Sequence, residues 1–192
     1  MISLVNQLSR LLAPVQCNVI LLGHRSSGKS LFLQRLKHPS RPPSQTTPSY
    51  GLNIHVLPLS SSKLSLRLWD LPGDPSYIET WENYSSKSHG AVFFISFSQS
   101  PKSLDLFHHL LPRLQQCPIA ILISSNDSMN QEDFLSFSEI ILNCLFDSPH
   151  TGPVAVFNLN FGADAAELTE RINEVVHFFE TKFTVQCRII DD

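Results

Sequence analysis

The chain has 192 residues, of which 42% are hydrophobic and 16% charged, and a formal net charge of −3. That length suits one domain, 1–192, and that apolar content builds a large core, which excludes a disordered chain. A net negative charge supplies no basic stripe, so neither nucleic acid nor an acidic membrane surface is an expected partner.

Cys17, Cys117, Cys144 and Cys187 are scattered without a C-x-x-C pair, which suits buried free thiols in a reducing compartment. No run of eighteen apolar residues occurs, and the first residues lack the basic start and small-residue cleavage site of a secretory signal. A cytoplasmic protein is therefore expected. Ile2 in place of glycine, and an Ile189-Ile190-Asp191-Asp192 end without cysteine, give no expectation of a lipid anchor.

Ile2, Val5, Leu8 and Leu12 recur at helical spacing up to Pro14, so residues 2–12 read as a short amphipathic helix within a leading segment 1–14, ahead of a core 15–192. Its one charge is Arg10. Packing on its own domain and docking on a membrane or partner both stand open, because a surface-seeking helix normally carries more basic residues. Asn18–Leu22 reads as a buried strand, followed by a loop and a helix from Lys29 to about Lys37. Residues 38–49 hold four prolines and many Ser and Thr, the composition of a mobile loop.

Leu52, Ile54 and Val56, then Leu64, Leu66 and Leu68, alternate around the polar turn 60–63 and predict a β-hairpin. Pro58 cannot donate to a ladder, which places the first of these strands at the sheet edge. The continuously apolar runs 91–95, 119–123 and 154–157 predict parallel strands covered on both faces. Helical stretches near 76–86, 102–116, 131–145 and 164–182 alternate with them, giving an α/β fold with Pro112 kinking the second helix.

The chemistry starts at Gly23-His24-Arg25-Ser26-Ser27-Gly28-Lys29-Ser30, which has the spacing G-x-x-x-x-G-K-[ST]. The glycines let main-chain N–H groups wrap phosphates, the lysine reaches the outer phosphates and the serine hydroxyl binds Mg²⁺. A strand before and a helix after supply the context this motif needs, and the helix N-terminus adds to the anion site. Downstream, Trp69-Asp70-Leu71-Pro72-Gly73 ends the second hairpin strand. There Asp70 can hold Mg²⁺ and the Gly73 N–H can meet a terminal phosphate. His24 and the His108-His109 pair read as polar fillers, lacking partners at metal spacing.

With these motifs, Thr47-Pro48-Ser49-Tyr50-Gly51-Leu52-Asn53-Ile54, Leu68-Trp69-Asp70 and Trp81-Glu82-Asn83-Tyr84 follow in order. The chain thereby resembles the Arf and Arf-like branch of the small GTPases, with specific motifs to about Phe97 and a matching element pattern beyond. The resemblance implies a P-loop small GTPase fold: a mostly parallel six-stranded sheet with one antiparallel edge strand and helices on both faces. It implies GTP or GDP with Mg²⁺ as cofactors, held by residues 23–30, Gly73, Asn126 and Asp127, with Ser30, Ser49 and Asp70 at the metal. It places Leu52, Trp69 and Tyr84 on a hydrophobic effector triad whose phenylalanine is here leucine. A monomeric switch for protein effectors, acting in membrane trafficking, follows from the same likeness.

Further positions depart from the family. Asp74 replaces the water-orienting glutamine, and its anionic side chain repels a terminal phosphate, so weak GTPase activity at most is expected. Pro72 stiffens the segment that must move. The guanine-reading N-K-x-D stands as Asn126-Asp127-Ser128-Met129, where methionine cannot accept the base N–H groups, leaving guanine against adenine open. The family's later S-A-x loop is not recognisable in Asn158-Leu159-Asn160-Phe161-Gly162, which leaves Asn158, Asn160 or backbone groups to touch a base. A non-hydrolysing interaction protein is the alternative reading, and an ATP-using enzyme is disfavoured because no Arg-rich lid is visible.

Overall fold

The computed structural model describes residues 14–39, 51–59, 63–125 and 129–191. The leading helix, Ser49, Asn126, Asp127 and the turn residues 60–62 lie outside the described residues. Six strands form one sheet: β1 (Val15–Leu22), β2 (Asn53–Pro58), β3 (Leu64–Asp70), β4 (Gly90–Ser96), β5 (Ile119–Ser125) and β6 (Val154–Asn160), in the order β2-β3-β1-β4-β5-β6. β2 is antiparallel to β3 and every other pairing is parallel. Pro58 sits opposite Ser65 on the edge strand, where its missing N–H breaks no second ladder.

The strand sequences are apolar on both faces because helices cover both. Val19 and Leu21 of β1 and Leu64, Leu66 and Leu68 of β3 join Phe32 and Leu33 of α1 (Lys29–Lys37) and Phe179 and Phe183 of α5 (Ala165–Asp191) in one core. On the other face Ile20, Phe93 and Ile121 meet Trp81 of α2 (Ile78–Ser85), Phe107 of α3 (Ser100–Leu110), and Phe137 and Ile141 of α4 (Gln131–Phe146). Phe93 and Phe107 pack edge to face with centroids 5.0 Å apart, a favoured arrangement for aromatic quadrupoles.

Three expectations change. The helix foreseen over 102–116 is not a kinked helix: α3 ends at Leu110, and Leu111–Leu114 form a 3₁₀ turn. Pro112 lacks the N–H and its ring opposes the carbonyl one turn back, so the chain tightens rather than bends. β6 meets a core on each face, Phe157 and Leu159 on one and Val154 and Val156 on the other, but as the far edge of the sheet it is mostly half-buried rather than enclosed. Of the thiols, Cys17 is buried, whereas Cys117 and Cys144 are only half-buried.

At α4, Asn130 is the N-cap, its Oδ1 accepting from Asp133 N at 2.7 Å, with Glu132 and Asp133 in the first turn. Asn130→Ala is expected to cost about 1 kcal/mol. A fall of ~2–4 °C in Tm for a chain of this size, read by circular dichroism, checks it.

Candidate functional site

The loop between β1 and α1 takes its shape from three left-handed residues: Gly23 at φ 140°, Ser26 at 60° and Gly28 at 95°. A Cβ at Gly23 would lie 2.6 Å from Phe94 O, and one at Gly28 would overlap the Phe161 ring, so both positions exclude larger residues. Ser124 of β5 donates its hydroxyl to Ser27 O at 3.0 Å and fastens the loop to the sheet. α1 then starts with no side-chain cap and no acidic residue in its first turn, while Arg35 and Lys37 occupy its last turn. Its positive end is thus left to an external anion, and its negative end is compensated.

Lys29, the first residue of α1, is buried and donates from Nζ to Gly23 O and to His24 O, the latter at 3.0 Å. Desolvation lowers its pKa to about 8, with the carboxylate of Asp70 pulling the other way. Asp70 ends β3 opposite Leu21 of β1 and is itself buried. Ser30 follows Lys29 on α1 and is half-buried. The buried Ser27 Oγ has no hydrogen-bond partner. A loop that needs glycine at positions 23 and 28, an uncapped helix start, a buried cation, an orphaned hydroxyl and a nearby carboxylate together fit nucleotide phosphates with Mg²⁺. In such a complex Lys29 would face the phosphates, and Ser30 and Asp70 the metal.

The segment after β3 lies on this loop. Arg25 N donates to Gly73 O at 2.8 Å, and a Cβ at Gly73 would stand 2.6 Å from Arg25 N, so only glycine allows the approach. Asp74 Oδ1 accepts from Ser76 N at 2.9 Å and from Ser76 Oγ at 2.8 Å, and Oδ2 lies 2.8 Å from Arg25 Nη2. These partners, the Ser76 N–H foremost, then its hydroxyl and the Arg25 charge, hold the Asp74 pKa below the ordinary carboxylate value. Trp81 Nε1 donates to Pro72 O at 2.9 Å. The Trp81 ring meets His24 edge-on, and His24 Nε2 lies 3.0 Å from Lys102 O. His109 Nε2 lies 2.9 Å from Glu82 Oε1 on the surface.

On the expected base side, Met129 is half-buried against the core formed with α4 and lines a cavity of about 490 Å³ with Phe134, Val156 and Asn158. Asn158 Oδ1 is buried without a partner, whereas Asn160 Oδ1 accepts from Gly162 N at 2.8 Å. Phe161, Trp81 and Ser124 shape the site and were not singled out for it from the sequence. The only clue to Phe161 was its place directly after the last strand. Of the three residues expected on an effector triad, Trp69 is buried, Tyr84 is half-buried with its ring centroid 5.2 Å from that of Trp69, and Leu52 packs half-buried against the same side of the sheet as Tyr84. Beside them the edge strand exposes Ile54 and Val56.

The sequence profile described as Arf: ADP-ribosylation factor family matches residues 4–142. ADP-ribosylation factor-like protein 14 of Mus musculus is 29% identical over 138 residues, 67% of this chain and 70% of that protein. ADP-ribosylation factor-like protein 6 of Caenorhabditis elegans is 34% identical over 82 residues, 42% of each chain. Among solved structures, the small GTPase Arl6 of Trypanosoma brucei, determined with the bound nucleotide analogue GppNp, superposes with a TM-score of 0.59 at 16% identity. That alignment covers 84% of this chain and 97% of that one.

Proposed function

Because the chain belongs to the ADP-ribosylation factor family of small GTPases, we propose that it is a guanine-nucleotide-dependent switch for protein partners. The single observation that carries this reading is the phosphate cradle, in which a buried Lys29 turns its ammonium onto loop carbonyls at an uncapped helix start. Residues 23–30 bind the phosphates, Ser30, Ser49 and Asp70 hold Mg²⁺, and Asn126 and Asp127 approach the base. When bound, Mg²⁺ neutralises phosphate charge and fixes the orientation of the outer phosphate. The terminal phosphate orders residues 44–54 and 70–84, and partners read Leu52, Trp69 and Tyr84 together with the exposed edge strand. No helix among the described residues is long and apolar enough to cross a membrane. We place the protein in the cytoplasm, as a monomer with a role in membrane trafficking, with residues 2–12 docking either on the domain itself or on a membrane. Denaturing the purified protein and identifying the released nucleotide by chromatography tests the reading. Release of no nucleotide, together with no GDP binding by calorimetry, overturns it.

Hydrolysis is expected to be slow. Asp74 stands where the family's glutamine orients water, and its carboxylate is taken by Arg25 and Ser76. In single-turnover assays the unaltered protein should hydrolyse GTP more slowly than family members that keep the glutamine, and Asp74→Gln should raise the rate. The engaged carboxylate also favours a second reading, a non-hydrolysing interaction protein that keeps its nucleotide as a structural part. That reading gains if neither protein hydrolyses GTP while nucleotide is bound, and ordinary family rates in the unaltered protein exclude it.

A further inference from the structure

β6 ends the strand order, and its main chain faces two ways. Ile119 N donates to Pro153 O at 2.9 Å, and Phe161 N donates to Ser125 O at 3.2 Å, so the odd-numbered residues of this stretch turn their N–H and C=O groups toward β5. Successive residues of a strand point these groups to opposite sides, which aims those of Val154, Val156 and Asn158 outward. No described strand pairs with them. Sheet edges are normally guarded by proline, charge or a bulge, as β2 is by Pro58 at the other end of the sheet. β6 reads Val-Ala-Val-Phe-Asn-Leu-Asn, with neither proline nor charge, and its register with β5 runs without a bulge.

The cavity of about 490 Å³ opens along this edge, lined by Val156 and Asn158 of β6, by Met129 and Phe134 from the α4 side and by Arg171 and Glu174 of α5. The two charges in its lining pair with each other, Arg171 Nη1 lying 3.0 Å from Glu174 Oε1, so the cleft offers no net charge to an ionic ligand. Outward main-chain donors and acceptors beside apolar side chains suit an extended, uncharged peptide. Walls on both sides admit a single strand and hold off the equally walled edge of a second copy. We propose that β6 receives an extended apolar segment of a partner protein as an added strand, bonded to the outward groups of Val154, Val156 and Asn158 and resting side chains on Met129 and Phe134. This surface stands apart from the partner-reading one, because β2 and β3 begin the strand order and β6 ends it. Its recognition needs no nucleotide, so a chain that binds none still takes the strand.

Amide exchange followed residue by residue on the full chain reads the edge directly. In the free protein the N–H groups of Val154, Val156 and Asn158 should exchange at least about tenfold faster than those of Ala155, Phe157 and Leu159, which face β5. Equal protection of both sets means that the edge is already covered, and overturns the proposal. The probe for the occupant is a phage-displayed library of random short peptides selected on the full chain. Peptides with apolar residues at alternate positions should be enriched, and a synthetic copy of the strongest should slow exchange of the three outward amides about tenfold. N-methylation of that peptide's alternate amides should weaken binding about tenfold in the pattern that faces β6 and leave it unchanged in the other. Val156→Pro removes one outward N–H and breaks no bond to β5, so it should weaken the same peptide with circular dichroism intact. No enriched peptide, equal losses from both methylation patterns, or binding that leaves the outward amides unprotected overturns the proposal, as does a chain that elutes as a dimer with those amides already slow.

Discussion

Lys29→Ala is expected to abolish nucleotide binding at micromolar concentrations while leaving the protein folded. Lys29 is the buried cation of the loop, and its ammonium is held by Gly23 O and His24 O. In the proposed complex it turns from these carbonyls to phosphate oxygens. Truncating one partner of such a desolvated charge contact costs ~2–5 kcal/mol, or ~30- to 5,000-fold in affinity. Calorimetry with GDP and Mg²⁺ reads the loss directly, and unaltered affinity would place the phosphates elsewhere. The nucleotide-free variant should lose little stability, because removing two hydrogen bonds is offset by removing a desolvated charge.

The same burial sets a pH dependence. Burial lowers the Lys29 pKa to about 8 in the folded chain from its ordinary value of 10.5, so between those values the unfolded chain binds more protons than the folded one. Stability of the nucleotide-free protein due to this group therefore rises with pH across that window, and below it the charged form is carried at a cost of ~3 kcal/mol. Urea unfolding at pH 7.5 and pH 10 should show the rise in the unaltered protein and a smaller one in Lys29→Ala. A bound phosphate removes the cost by pairing the charge, which is why the cradle favours an anion.

The strand, loop and helix around Lys29 were legible in the sequence because each signal is local: an apolar run, two glycines at fixed spacing and a helical pattern. The antiparallel edge strand was legible from alternation together with Pro58. Contacts between positions far apart were not. Nothing near Arg25 announces that it meets Asp74, because that contact exists only once β1 and β3 lie side by side, and nothing near Trp81 announces the bond to Pro72 O, which forms only once the chain after β3 turns back into its helix. The half-burial of β6 escaped for a related reason. An apolar run reads the same in the middle of a sheet as at its edge, and only the strand order decides. Pro112 was a correct signal with the wrong outcome, since the same lost N–H permits either a kink or a tightened turn.

Base discrimination is expected to be poor, and Met129→Asp is expected to raise the preference for GTP over ATP. An aspartate at this position of the family motif accepts two guanine N–H groups, and a thioether offers them only a weak acceptor. Losing that charged bidentate contact costs on the order of 2 to 4 kcal/mol, or ~30- to 1,000-fold in selectivity. The Met129 side chain is instead half-buried against the apolar core beside Phe134. Aspartate there must turn outward to regain a partner, and without a guanine it bears the desolvation alone. The gain in GTP preference should therefore come with a lower Tm in the nucleotide-free protein, recovered on adding GDP. Competition of GTP and ATP against a fluorescent guanine nucleotide measures both chains. A strong GTP preference in the unaltered protein would instead assign the base contact to another group, and Asn158, whose buried Oδ1 lacks a partner, is the first to replace, with Asn158→Ala expected to remove the preference.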